Sequence, residues 1–182
     1  MPLRTQRYDL SDEIDRIDNE IAELKATKQD LTDADEDKAD AIKKVKQRIT
    51  QLESQQRGAR WARDEAHYSP SEGGIESWNH AVDSIELAGL TAGDMAQVSA
   101  EMTVTHHAVQ RIHMVAQGTE DAPYHDASAS YGDRVEAVGK LPVAYIRWAY
   151  SRVDSLSTVG NTERTASEPT PKATRSQTPT SD

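Results

Sequence analysis

The chain has 182 residues, a formal net charge of −10, no Phe and no Cys, and a mean hydropathy of −0.77. That length holds one domain, or a small domain with an extension, and the sparse large apolar residues point to thin, elongated helical packing rather than one large core. Disulfides, thiolate metal sites and a Cys nucleophile are excluded; no apolar run approaches the ~20 residues of a membrane span, and no apolar stretch follows Arg4 and Arg7 as a signal peptide would require, so a cytoplasmic location is expected.

Charge is unevenly spread. Residues 9–40 carry thirteen Asp/Glu against Arg16, Lys25, Lys28 and Lys38, whereas residues 41–60 carry Lys43, Lys44, Lys46, Arg48, Arg57 and Arg60 against Glu53. Residues 61–156 are acidic again, with Lys140 as their one lysine. An acidic surface disfavours binding to a phosphate backbone, which takes clustered Lys/Arg. The basic run is explained more simply as the complement of the acidic run before it.

The strongest local signal is a heptad in the first third. Ile14, Ile21, Ile42 and Ile49 share one position, and Leu10, Ile17, Leu24, Leu31, Val45 and Leu52 share the other. These are the a and d positions of a coiled coil, broken in the middle by Lys28, Asp35 and Lys38. Two arrangements fit residues 8–60: a long stalk that dimerises, or an antiparallel hairpin turning near residues 31–35. The hairpin is favoured by an Asp33–Glu36 capping-box pattern. It pairs Leu24 with Ile42, Ile21 with Val45, Ile17 with Ile49 and Ile14 with Leu52. It also brings Asp18 towards Lys46 and Glu20 towards Arg48.

Residues 58–73 read as a frayed helix end and a loop, with Ser69-Pro70-Ser71 and Gly73-Gly74 at a boundary. A small helical domain is expected over residues 70–157. Ile75, Trp78, Val82 and Ile85 recur at helical spacing and predict a helix over 75–88, closed by Gly89 as its C′ residue. Thr91 and Asp94 form a second capping-box pattern, opening a helix over 92–117. A loop over 118–132, a short helix over 133–138 and a last helix over 142–156 follow, the last with Pro142 near its start. From residue 158 to 182 the chain is rich in Ser, Thr and Pro, which predicts a disordered tail.

Chemistry-bearing motifs are scarce. His106, His107 and His113 cluster, but the seven-residue spacing of His106 and His113 puts them ~10 Å apart along a helix, and the His-Glu-x-x-His pattern is absent. There is no Gly-rich phosphate loop and no nucleophile elbow. No catalytic, cofactor or metal residues are assigned, and the protein is read as non-enzymatic. A helix-turn-helix DNA-binding regulator using helix 92–117 is the alternative; against it, that helix carries Asp94 and Glu101 and no basic residue before Arg111. Tyr145, Trp148 and Tyr150 concentrate aromatic mass: they either anchor the second domain against Trp78 or form a partner-binding hot spot.

The excess of Asp over Glu and the scarcity of Lys outside 25–46 resemble proteins of extreme halophiles, in which dense carboxylates maintain solubility at molar salt. With that composition, the segment VDSIELAGLTAGDMAQVSAEM resembles small structural or assembly proteins of tailed viruses that infect haloarchaea. The resemblance implies a virion or assembly role and transfers no site residues. The expectation is an all-α protein: a coiled-coil hairpin or stalk, a small helical domain and a tail. It would act in assembly, scaffolding or as an adaptor, through self-association or a protein partner, with no nucleic acid, membrane or small-molecule substrate.

Overall fold

A computed structural model describes residues 4–33, 38–67, 78, 80–102 and 106–162, with side chains to residue 158. The expected tail, residues 158–182, lies outside this range beyond residue 162, as do the proposed boundary residues 69–74 and Asp35 and Glu36 of the turn.

The fold is mostly helical, as expected, but it also contains a small sheet. Strand β1 (Thr5–Asp9) leads directly into α1 (Leu10–Asp33). The Asp9 carboxylate accepts from the N–H groups of Ser11 and Asp12 at 2.9 and 3.0 Å, satisfying two of the unpaired donors of the first helical turn. Helix α2 (Ala39–Arg60) packs antiparallel on α1 and ends in one π-helical turn, Trp61–Glu65. The favoured hairpin is the arrangement seen. Its α2 starts at Ala39 with Lys38 as N-cap, later than the Asp33–Glu36 pattern predicts.

Leu10, Ile14, Ile17, Ile21, Ile49 and Leu52 are buried, while Leu24, Leu31, Ile42 and Val45 are half-buried. Arg48 meets Glu20 at 2.6 Å as expected. Asp18 does not meet Lys46; it reaches Gln56 and Arg60 further along α2, with Arg60 at 3.1 Å.

Of the helix predicted over 75–88, residues 75–77 and 79 lie outside the described residues, the described ones are not helical, and Ser84–Ala88 is strand β2. Period two wins over period 3.6 because Ile85 and Leu87 both enter the core while Glu86 between them faces outward. The hydrogen-bonding partners of this strand come from far along the chain. β2 lies centrally, antiparallel to β1 with Tyr8 opposite Ile85, and antiparallel to β3 (Thr119–Asp121). Arg7 spans all three strands, bonding Glu86 at 3.0 Å and Asp121 at 3.2 Å. Gly89 is therefore not a helix C′ residue. Its N–H donates to the Arg4 carbonyl, and its α-carbon sits against the backbone at Leu156, where a Cβ would lie within 3 Å.

The Thr91–Asp94 capping box is present at the start of α3 (Ala92–Glu101). The single helix expected over 92–117 is corrected to two: Met102 is extended, and α4 (His107–Gly118) starts afresh. Helix α5 (Tyr131–Gly139) and helix α6 (Val143–Thr162) complete the fold, and α6 continues past the expected end at 156.

Helix α6 is the axis of the core. Tyr145, Trp148, Ala149 and Val153 are fully enclosed. The hairpin and the segment after residue 78 share one continuous hydrophobic cluster. Close approach of α6 to α2 rests on Gly58, whose position admits no Cβ: the atom would overlap the Ala144 carbonyl and crowd the Tyr145 amide. Ala59 beside it and Ala62 in the π-helical turn are wholly buried.

Because the obstructing atoms belong to backbone, Gly58→Ala must push two helices apart. We expect a loss of about 1–3 kcal/mol and a fall of several degrees in Tm. Gly139→Ala, where a Cβ meets nothing within 4 Å, serves as the contrast and should be neutral or slightly stabilising. Thermal denaturation of both variants checks this; equal melting temperatures would show that the helices part without cost.

Candidate functional site

Two polar features stand out, one inside the core and one on its flank. The inner one centres on Glu13, a buried carboxylate on the first turn of α1. Its Oε2 accepts from the Trp148 indole at 3.2 Å and pairs with Arg152 Nε at 2.7 Å; Oε1 accepts from Arg16 at 3.1 Å. The Arg152 guanidinium also lies 5.8 Å from the centre of the Tyr8 ring. Burial pulls the Arg152 pKa down, against the Glu13 charge, which favours the charged form. Its Nη2 is buried with no acceptor among the described residues.

Outward from this pair, α1, α2, α4 and α6 enclose a groove of about 570 Å³. Five arginines line it: Arg16 from α1, Arg48 from α2, Arg111 from α4, and Arg147 and Arg152 from α6. Neutral donors Gln47, Thr50, Gln51, Ser54, Gln55, Ser151 and Ser155 fill the gaps, with Tyr150 and the carboxylates Glu20 and Asp154. Glu20 is held by Arg48 at 2.6 Å and Arg16 at 3.2 Å. Its burial would raise the carboxyl pKa, but these two arginines hold it below the usual range. Arg147 donates to Ser54 Oγ at 3.1 Å, and Arg111 lies 5.5 Å from the centre of the Tyr150 ring. Among the described residues no carboxylate lies within ion-pair reach of Arg111 or Arg147. The groove is a concentration of hydrogen-bond donors with fixed positive charge, suited to holding an anion.

The aromatic residues divide. Tyr145 and Trp148 are fully buried, with Tyr145 5.6 Å from Trp78 and 5.6 Å from Trp148. The anchoring arrangement is the one found for these two, and neither side chain reaches the surface as a hot spot. Tyr150 is half-buried on the groove wall. Below, a hydroxyl chain crosses the core: Thr119 donates to the Val115 carbonyl at 2.7 Å, which leaves its oxygen to accept from Tyr124 at 2.9 Å, and Tyr124 to accept from Tyr145 at 3.0 Å. Burial pushes the Tyr124 pKa up to about 12 and Tyr145 well above its ordinary value. Both remain neutral donors.

The histidines do not converge. His106 caps α4 by accepting from the Ala108 N–H at 3.2 Å, His107 opens the helix, and His113 bonds the Tyr131 hydroxyl at 2.8 Å. No group of three metal-ligating side chains forms among the described residues. Comparison with protein-family models, curated proteins and solved structures finds no match to this chain. No helix among the described residues is long and apolar enough to cross a membrane.

Sequence reasoning missed the groove because its arginines come from four helices. The available signal was the choice of cation: between residues 61 and 156 the basic side chains are almost all Arg, which suits bidentate contacts better than Lys does.

Removing Glu13 leaves a buried guanidinium unpaired, so Glu13→Ala should cost about 3–5 kcal/mol, and Glu13→Ala with Arg152→Met should recover a substantial part. Urea denaturation of the single and double variants measures the coupling; additive losses would show the pair to be energetically idle. Burial also holds the pKa of His113 and His125 below the ordinary value. A depressed folded-state pKa gives stability that is complete above the unfolded value of about 6.5 and lost as pH falls through the folded value. The urea midpoint should therefore fall from pH 7 to pH 5, and fall less in His113→Gln. An equal fall in both proteins would remove His113 from the account.

Proposed function

We propose that this chain is a non-enzymatic assembly or adaptor protein that engages a second copy or a protein partner through the far part of its α1–α2 hairpin. One observation carries the reading. Between Ile21 and Ile49 no described residue is buried, so this stretch of both helices extends beyond the shared core. Leu24, Leu31, Ile42 and Val45 form a half-buried apolar seam along it, flanked by exposed Lys25, Lys43, Lys44 and Lys46. The inner half of the hairpin is consumed by the core, so the arm is the part left to act as coiled-coil contact surface. The acidic composition is consistent with work at high salt and with a virion or tail-assembly role in a virus of haloarchaea.

The test is solution mass by light scattering, in molar KCl and at low salt, paired with crosslinking of the full chain. We expect an oligomer or an arm-dependent complex that is lost in Lys43→Glu/Lys44→Glu, with the melting temperature unchanged because both side chains are exposed. A monomer under both conditions with no arm-dependent crosslink would overturn the proposal, as would association indifferent to the arm substitutions.

A further inference from the structure

We infer that the arginine-lined groove binds a small phosphate-bearing anion, with Arg111 and Arg147 as its principal contacts. The first argument is electrostatic. In a chain of net charge −10, five guanidinium groups face two carboxylates across one groove. Like-charged groups gathered in a concave polar space repel one another, and an anion relieves that repulsion while meeting a focused field.

The second argument is the state of each cation. Arg16, Arg48 and Arg152 are committed to Glu13 and Glu20. Arg111 and Arg147 are held by neutral groups, the Tyr150 ring and the Ser54 hydroxyl. A guanidinium presents five N–H donors in a planar fork, and Arg147 spends one of them on Ser54. The two are thus oriented but not neutralised, the condition for charge-assisted bidentate bonding to phosphate oxygens. The rigid supports matter as much as the charge: both come from the core helices, not from the arm, where the lysines sit.

The third argument is size. The volume of about 570 Å³ falls within the usual range of roughly 300–1,000 Å³ for small-ligand sites and exceeds what one orthophosphate fills. A diphosphate, or a phosphate carried on a larger body, matches it better. Asp154, exposed on the groove wall, is the lining carboxylate that forms no ion pair among the described residues, and it selects against a ligand that would place negative charge at that end.

The experiment is calorimetric titration of the full chain with inorganic phosphate, pyrophosphate and ATP at one fixed ionic strength. Pyrophosphate should bind more tightly than phosphate. Arg111→Gln with Arg147→Gln should weaken pyrophosphate at least tenfold, and Arg147→Lys should fall between, since an ammonium keeps the charge and loses the fork. Arg63→Gln, whose side chain pairs with Asp64 outside the groove, is the control for general charge effects and should bind as the parent does. ATP tighter than pyrophosphate would place a nucleoside body in the remaining volume; equal affinity would confine recognition to the phosphates. Absence of pyrophosphate binding at millimolar concentration would overturn the inference, as would equal losses in Arg63→Gln and Arg147→Gln. Should the double variant melt early, the single Arg147→Gln, altered at an exposed position, decides the matter alone.

Discussion

The carboxylate of Glu13 joins the first helix of the fold, α1, to α6. It accepts from an indole 135 positions away and pairs with a guanidinium on the same helix face as that indole. Burying a carboxylate costs several kcal/mol unless it is paired and hydrogen-bonded, so α1 and α6 hold their relative position or lose the whole arrangement. Tyr8, Trp148 and Tyr145 then pack around a fixed polar centre, with ring centroids 5.6–6.2 Å apart. The groove follows from the same constraint, because Arg16 and Arg152 reach its wall from the Glu13 pair.

A chain with few large apolar residues compensates by letting backbones approach. Gly58 meets Ala144 and Gly89 meets Leu156, and Ala59 and Ala62 are wholly buried. Close-packed backbone raises dispersion contact per residue, and three Trp with the buried Tyr supply the remaining bulk. The result is a core in which aromatic rings and small residues supplement the Leu, Ile and Val side chains, with no Phe.

How much of this the sequence discloses depends on the range of the interaction. The hairpin is legible because its heptad is local: Ile14, Ile17, Ile21, Ile49 and Leu52 repeat within one stretch, and Glu20 with Arg48 follows from the pairing. The Thr91–Asp94 cap is legible for the same reason. Strand β2 is not, because Ser84–Ala88 becomes a strand through partners at Thr5–Asp9, and Ile75, Trp78, Val82 and Ile85 fall at helical spacing leading into it. The break at Met102 interrupts a face whose apolar spacing runs straight through it. The arginines of the groove are separated by up to 136 positions, and nothing in their local surroundings links them.

The sheet carries a consequence for how the chain reaches this state. Its first strand pairs with residues about 79 positions later, and those with Thr119–Asp121. The α1–α2 hairpin needs only its own neighbours and can form while much of the chain is still being synthesised; β1 must wait unpaired beside it until β2 emerges. Contacts of such sequence separation form more slowly than local ones, so β1 joins the sheet after the α1–α2 hairpin beside it has formed. A bulky fusion ahead of β1 would thus burden this later pairing and spare the hairpin.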